Sequence, residues 1–105
     1  MTTMLDITSR SKLNRMAERG NYDIEVILSI LDAAPMCHVA YLMDGGPAIV
    51  PTLQWREDDR VYWHGSIGAN SHLKGKDNGV CLNVSLFDGL VLARSAFHHS
   101  ANYRS

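Results

Sequence analysis

The chain has 105 residues, 46% of them hydrophobic and 20% charged, with a formal net charge of −1. That length suits one domain with a modest core, and the composition excludes a disordered chain. A near-neutral balance with no basic stripe argues against a nucleic-acid surface, and no apolar run is long enough to span a bilayer.

Met1 to Asn21 is polar and mixed in charge. Asp6, Arg10 and Lys12 interrupt the apolar region an export signal would need, which predicts a cytoplasmic protein. Lys12, Arg15 and Arg19, spaced through Leu13 and Met16, suit a short helix stopping at Arg19-Gly20. Asp23 is a good N-cap for the next segment. There Ile24, Ile27, Leu28, Leu31 and Ala34 recur at the spacing of one helix face, and Pro35 ends the run.

After Pro35 the period changes. Cys37–Met43 reads as a strand, Asp44-Gly45-Gly46-Pro47 as a hairpin turn, and Ala48–Arg56 as the returning strand. Pro51 cannot donate to a sheet ladder, so it predicts a bulge, an edge or an interruption. Glu57-Asp58-Asp59 turns the chain into a strand over Val61–His64. Val80–Leu86 and Leu90–Phe97 read as two more strands, separated by Asp88-Gly89. Five strands with short turns and a leading helix predict a small antiparallel barrel or closed sheet. The polar run His98 to Ser105 then ends the chain abruptly.

The stretch richest in chemistry is Val61–His64 and the polar run after it, through Gly65, Ser66, Gly68, Asn70, Ser71 and Lys74. It reads as a strand opening into a loop. The glycines permit close backbone approach, the hydroxyls and amide are neutral donors, and Lys74 is a cation. Such a set suits a phosphate, although ordinary turn residues would look the same. The glycine, lysine and Ser/Thr spacing of a P-loop is missing.

Other constellations have plain alternatives. The five histidines show no metal-ligand spacing, and His98 and His99 would face opposite sides of a strand. Cys37 and Cys81 lie alone in separate apolar runs; they could form one disulfide, but the favoured reading is two reduced, buried thiols. No glycine-flanked serine elbow marks a hydrolase. His64, at a strand end, is either a satisfied hydrogen-bonding residue or a catalyst. Arg94 and Arg104 could take a phosphate, or simply be solvated.

Taken together, the ordered pieces resemble the pyridoxamine 5′-phosphate oxidase-related, FMN-binding split-barrel proteins, in their nitroimidazole-resistance-like branch. The resemblance rests on Arg19-Gly20-x-Tyr22-Asp23, Ile30-Leu31-Asp32, Pro47 to Thr52, and Tyr62-x-His64-Gly65-Ser66. It continues through Leu86-x-Asp88-Gly89-Leu90-x-Leu92-Ala93-Arg94-Ser95 and Phe97-His98-His99-Ser100-x-Asn102-Tyr103-Arg104-Ser105.

The resemblance implies a mainly β (α+β) fold: a six-stranded split barrel over residues 23–105, with a helix in front and a polar segment over 1–22. It implies a homodimer with FMN in two clefts at the subunit interface. Val50, Pro51 and Thr52 would contact the flavin ring. His64, Gly65, Ser66, Asn70, Ser71 and Lys74 would take the ribityl phosphate. Family members often carry an arginine where this chain has Asn70-Ser71-His72, and Lys74 is the candidate replacement. Related chains also continue past this point, so a chain ending at Ser105 is expected to lack a closing strand unless a partner supplies it.

The implied activity is two-electron reduction of a small aromatic or nitro-aromatic substrate, with His64 as the candidate catalytic residue. The alternatives are a flavin-binding module without turnover, or a haem-binding split barrel with His64 or another histidine as axial ligand.

Overall fold

A computed structural model describes residues 4–65 and 69–105. In the N-terminal segment, Thr8 and Ser11 exchange backbone-to-hydroxyl hydrogen bonds of 2.8 and 3.2 Å in a local turn. The helix expected from Lys12 onward shrinks to a single 3-10 turn, Ala17–Arg19. Met16, left-handed at φ 52°, blocks any earlier start, and the segment has no apolar face whose burial would offset the cost of nucleation.

Helix α1, Ile24–Ala33, is bounded as its sequence requires. The Asp23 carboxylate accepts the Glu25 N–H at 2.9 Å, and Ala34 is already extended ahead of Pro35. Ile30 is buried, with Val26 and Leu31 packed beside the core, so the face predicted by the spacing is the face used.

Strands β1 (Met36–Met43) and β2 (Gly46–Glu57) form an antiparallel hairpin with Met43 opposite Gly46. Asp44 at φ 53° and Gly45 at φ 80° close it in two residues. Gly46 and Pro47, read as part of the turn, therefore belong to the strand.

Pro51 does not interrupt β2. The Gln54 N–H donates to Pro35 O at 2.8 Å, which sets the alternation of bonded pairs along β1 and β2. Thr52 and Val50 then fall at bonded positions opposite Cys37 and Val39, and Pro51 at a non-bonded one opposite His38. Its nitrogen points away from β1, beyond the Gln54–Glu57 stretch that pairs with β3. Of the three possibilities, the edge is what the fold uses.

Strand β3, Arg60–Trp63, pairs with the far end of β2. Helix α2, Asn70–Asn78, follows where a loop was expected. Strand β4, Val80–Asn83, pairs with β1, giving one curled sheet in the order β3-β2-β1-β4.

Strand β5 (Leu86–Val91) and β6 (Ser100–Arg104) form a separate two-stranded sheet. Asp88-Gly89 is therefore not a turn. It lies at a register shift inside β5, and β6 is made from the polar tail. Among the described residues, six strands and two α-helices make a mainly β half-barrel, the split-barrel class.

The core consists of Val39, Cys37, Ile30, Ala34 and Val84, flanked by Val50, Trp63, Leu82 and Leu86. The opposite sheet face is exposed and apolar, with Met36, Leu42, Ile49, Leu53, Trp55 and Tyr62. Both cysteines are free, but only Cys37 is buried; Cys81 is exposed, contrary to expectation. It pairs with Ala40, and alternation puts it on the outward face. Among the described residues no helix is long and apolar enough to cross a membrane.

Candidate functional site at the β3–α2 junction

The end of β3 is fixed to β2 through the backbone of His64. Its N–H donates to Leu53 O at 2.9 Å, and its carbonyl accepts the Thr52 hydroxyl at 2.7 Å. The His64 side chain is exposed beyond this anchor. Gly65 follows, and a Cβ there would overlap Nε2 and Cδ2 of His72 and lie 3.2 Å from Ala69 Cβ. Glycine is needed here for close approach rather than for a turn.

On the other side stands the first turn of α2. Its N-cap is Ala69, which has no side-chain acceptor for the leading N–H groups. The N–H groups of His72 and Leu73 both go to Ala69 O at 3.1 Å. Those of Asn70 and Ser71 precede any intrahelical acceptor and carry the positive end of the helix dipole. Asn70 and Lys74 are four residues apart on one exposed face, so an amide and a cation flank this turn together. A helix start whose N-cap residue is alanine, beside a glycine and a lysine, is chemically suited to an anion.

Ser71 does not share that role. It is 5% exposed and its Oγ accepts the Trp63 indole N–H at 3.3 Å, so it ties α2 to β3. His72 stacks on the same indole, with centroids 4.9 Å apart and a 34° tilt. Neither the Trp63–Ser71 bond nor the His72 contact was read from the sequence, although the Trp-x-Gly spacing ahead of a histidine was its visible signal. Ser66, a nominated phosphate donor, and Gly68 lie outside the described residues.

The three β2 residues nominated for a flavin ring are divided by the strand pleat. Val50 and Thr52 are half-buried on the inward face, and Pro51 is exposed on the outward one. They cannot present side chains to a ring as one surface. The strand edge at Pro51 can still lie along one through its backbone.

Other candidates are engaged elsewhere. Arg104 is held bidentately by Asp88 at 2.8 and 2.9 Å, which lowers the Asp88 pKa through hydrogen bonding and charge. His99 Nδ1 accepts the Ala93 N–H at 2.9 Å. No group of three or more His, Cys, Asp or Glu side chains among the described residues could hold a metal.

The sequence model described as pyridoxamine 5′-phosphate oxidase matches residues 23–105. No curated protein matches significantly. Among solved structures, the flavocytochrome Anf3 from Azotobacter vinelandii is 44% identical and superposes with a TM-score of 0.84. That match covers 91% of this chain and 45% of the flavocytochrome, so the chain spans less than half the length of that relative. On the match over 23–105, α1 and all six strands included, the chain belongs to the pyridoxamine 5′-phosphate oxidase family.

Proposed function

We propose that this chain binds FMN between the end of β3 and the first turn of α2, as a homodimeric cytoplasmic flavoprotein. The observation that carries the reading is the start of α2 at an alanine N-cap, with Asn70 and Lys74 on one face beside Gly65, in a chain of this family. Gly65, Asn70 and Lys74 hold the phosphate, with Ser66 added on the family resemblance. Ser71 contributes its backbone N–H, because its hydroxyl faces Trp63. The β2 edge over Val50, Pro51 and Thr52 lies along the ring.

Bound FMN supplies two-electron redox chemistry, and the protein orients ring and substrate. We assign the substrate to small aromatic or nitro-aromatic compounds, as in the nitroimidazole-resistance-like branch, with His64 as the candidate catalytic group. Its anchored backbone and exposed imidazole leave the side chain free to meet a substrate.

The test is a visible spectrum of freshly purified protein, with the released cofactor identified after denaturation. FMN at about one per chain is the expected result. A colourless protein that takes up no added FMN would overturn the reading. Bound FMN that nicotinamide donors cannot reduce would leave a flavin-binding module without turnover.

A second reading is haem binding. It is favoured by the similarity to a protein whose title calls it a flavocytochrome. A Soret band in the same spectrum would move attention to His64 and the other exposed histidines.

A further inference from the structure

The two halves of the candidate site come from different elements, and one side chain sets the gap between them. His64 and Gly65 are fixed to β2 by the bonds to Leu53 and Thr52. The start of α2 is fixed to β3 by the Trp63–Ser71 bond. Between these anchors the His72 imidazole has the Trp63 ring on one side and Gly65 on the other, close enough to leave no room for a Cβ. Although His72 is exposed, a ring in contact with both neighbours acts as a spacer, since atoms in van der Waals contact cannot approach further without cost.

We propose that His72 is a positioning residue that sets ligand choice at this junction: its ring holds Gly65 at a fixed distance from the first turn of α2, and so creates the preference for a phosphate-bearing over a phosphate-free flavin. This rests on the flavin reading above and deepens it. The ring part of the ligand lies along β2, whereas His72 packs against Trp63 on β3 and against Gly65. The phosphate end needs Gly65 on one side and Asn70 and Lys74 on the other, so it alone feels a change in their spacing.

The test uses the full chain and two probes, FMN and riboflavin, titrated by quenching of flavin fluorescence, with thermal melting recorded for every variant. His72→Ala is expected to weaken FMN on the order of tenfold, the loss that a change of about 1.4 kcal/mol gives, and to leave riboflavin affinity unchanged. His72→Phe, which keeps a planar ring without nitrogen, restores most of the FMN preference. Gly65→Ala alone loses FMN because its Cβ meets the imidazole, and adding it to His72→Ala causes little further loss. If His72→Ala does not fold, Gly65→Ala and His72→Phe read the same contact.

Retention of the wild-type FMN-to-riboflavin ratio in His72→Ala would overturn this inference alone. A His72→Phe variant as weak as His72→Ala would also overturn it, by making His72 a direct ligand contact. Equal affinity of the wild-type chain for the two flavins would overturn the phosphate reading and this inference with it.

Discussion

Gln54 shows how much one side chain contributes that its sequence position conceals. In the sequence it is one polar residue in an alternating strand. In the fold it is 6% exposed, and its Nε2 donates to the carbonyls of Leu31, at 2.6 Å, and Ala34. Both lie at the C-terminal end of α1, where carbonyls run out of intrahelical donors, and Leu31 O also accepts the Ala34 N–H at 3.4 Å. Gln54→Leu takes the Nε2 donor from the buried Ala34 carbonyl and leaves Leu31 O with the Ala34 N–H alone, an expected cost of about 1–3 kcal/mol, read as a lower urea midpoint with an unchanged slope. The two cysteines give a parallel case. Both sat in apolar runs, yet strand pairing puts Cys37 inside and Cys81 outside. Burial also raises the Cys37 pKa, so thiolate is scarcer there. A thiol reagent should label Cys81 in the native protein and Cys37 only on unfolding. Rapid labelling of a Cys81→Ser variant would contradict that burial.

At the scale of elements, legibility followed whether the signals were local. Helix α1 carried its own N-cap, apolar face and stop in Asp23, Ile30 and Pro35, and was readable throughout. Helix α2 had none of these. Its cap is alanine, Gly75 sits mid-helix, and its side chains are mostly polar, so the same residues read as a loop. Asp88-Gly89 read as a turn because the partner that draws it into β5 is a strand more than ten residues on. The error about α2 strengthens the site, since a helix start replaces a loop beside Gly65. Lys74→Ala should therefore reduce FMN affinity several-fold and spare the melting temperature, and equal losses in both would make Lys74 a structural residue. Two ion pairs also link elements: Asp32 on α1 with Arg56 on β2, and Asp88 on β5 with Arg104 on β6. Hydrogen bonds from the arginines lower both carboxyl pKa values. A lowered folded-state pKa means stability that is present above the ordinary carboxylate range and lost as pH falls through the lowered value. Urea midpoints measured from about pH 6 to about pH 2 should fall at the acid end. The fall should be shallower in Asp32→Asn/Asp88→Asn, and a parallel fall would remove these pairs as its source.

At the scale of the molecule, the chain leaves much apolar surface uncovered. Its radius of gyration is 16.2 Å, against about 13 Å for a compact domain of this length. Ile49 is 65% exposed and Phe97 95%, and an apolar cleft of about 320 Å³ opens between α1 and the sheet. The β5–β6 hairpin has few contacts with other elements, and a two-stranded sheet is marginal by itself. Exposure on this scale, on a sheet face and a hairpin at once, marks surface that a partner or further polypeptide covers. The split-barrel pattern was legible from ordered motifs spread along the chain. The missing cover was not, because hydrophobic periodicity records which residues are buried and not whether their cover comes from the same chain. We take the cover to be a second copy, with the flavin clefts at the interface. Leu53→Glu places a charge on the outward face beside Trp55, where it cannot perturb the inward core. Sedimentation velocity is then expected to give a dimer for the wild-type chain and a monomer for the variant. If the clefts lie between subunits, that monomer also loses FMN, and added FMN shifts the wild-type equilibrium toward dimer by mass action. A Leu53→Glu monomer that keeps FMN at wild-type affinity would locate the whole site within one chain, on Gly65, His72 and the start of α2, and would separate flavin binding from assembly.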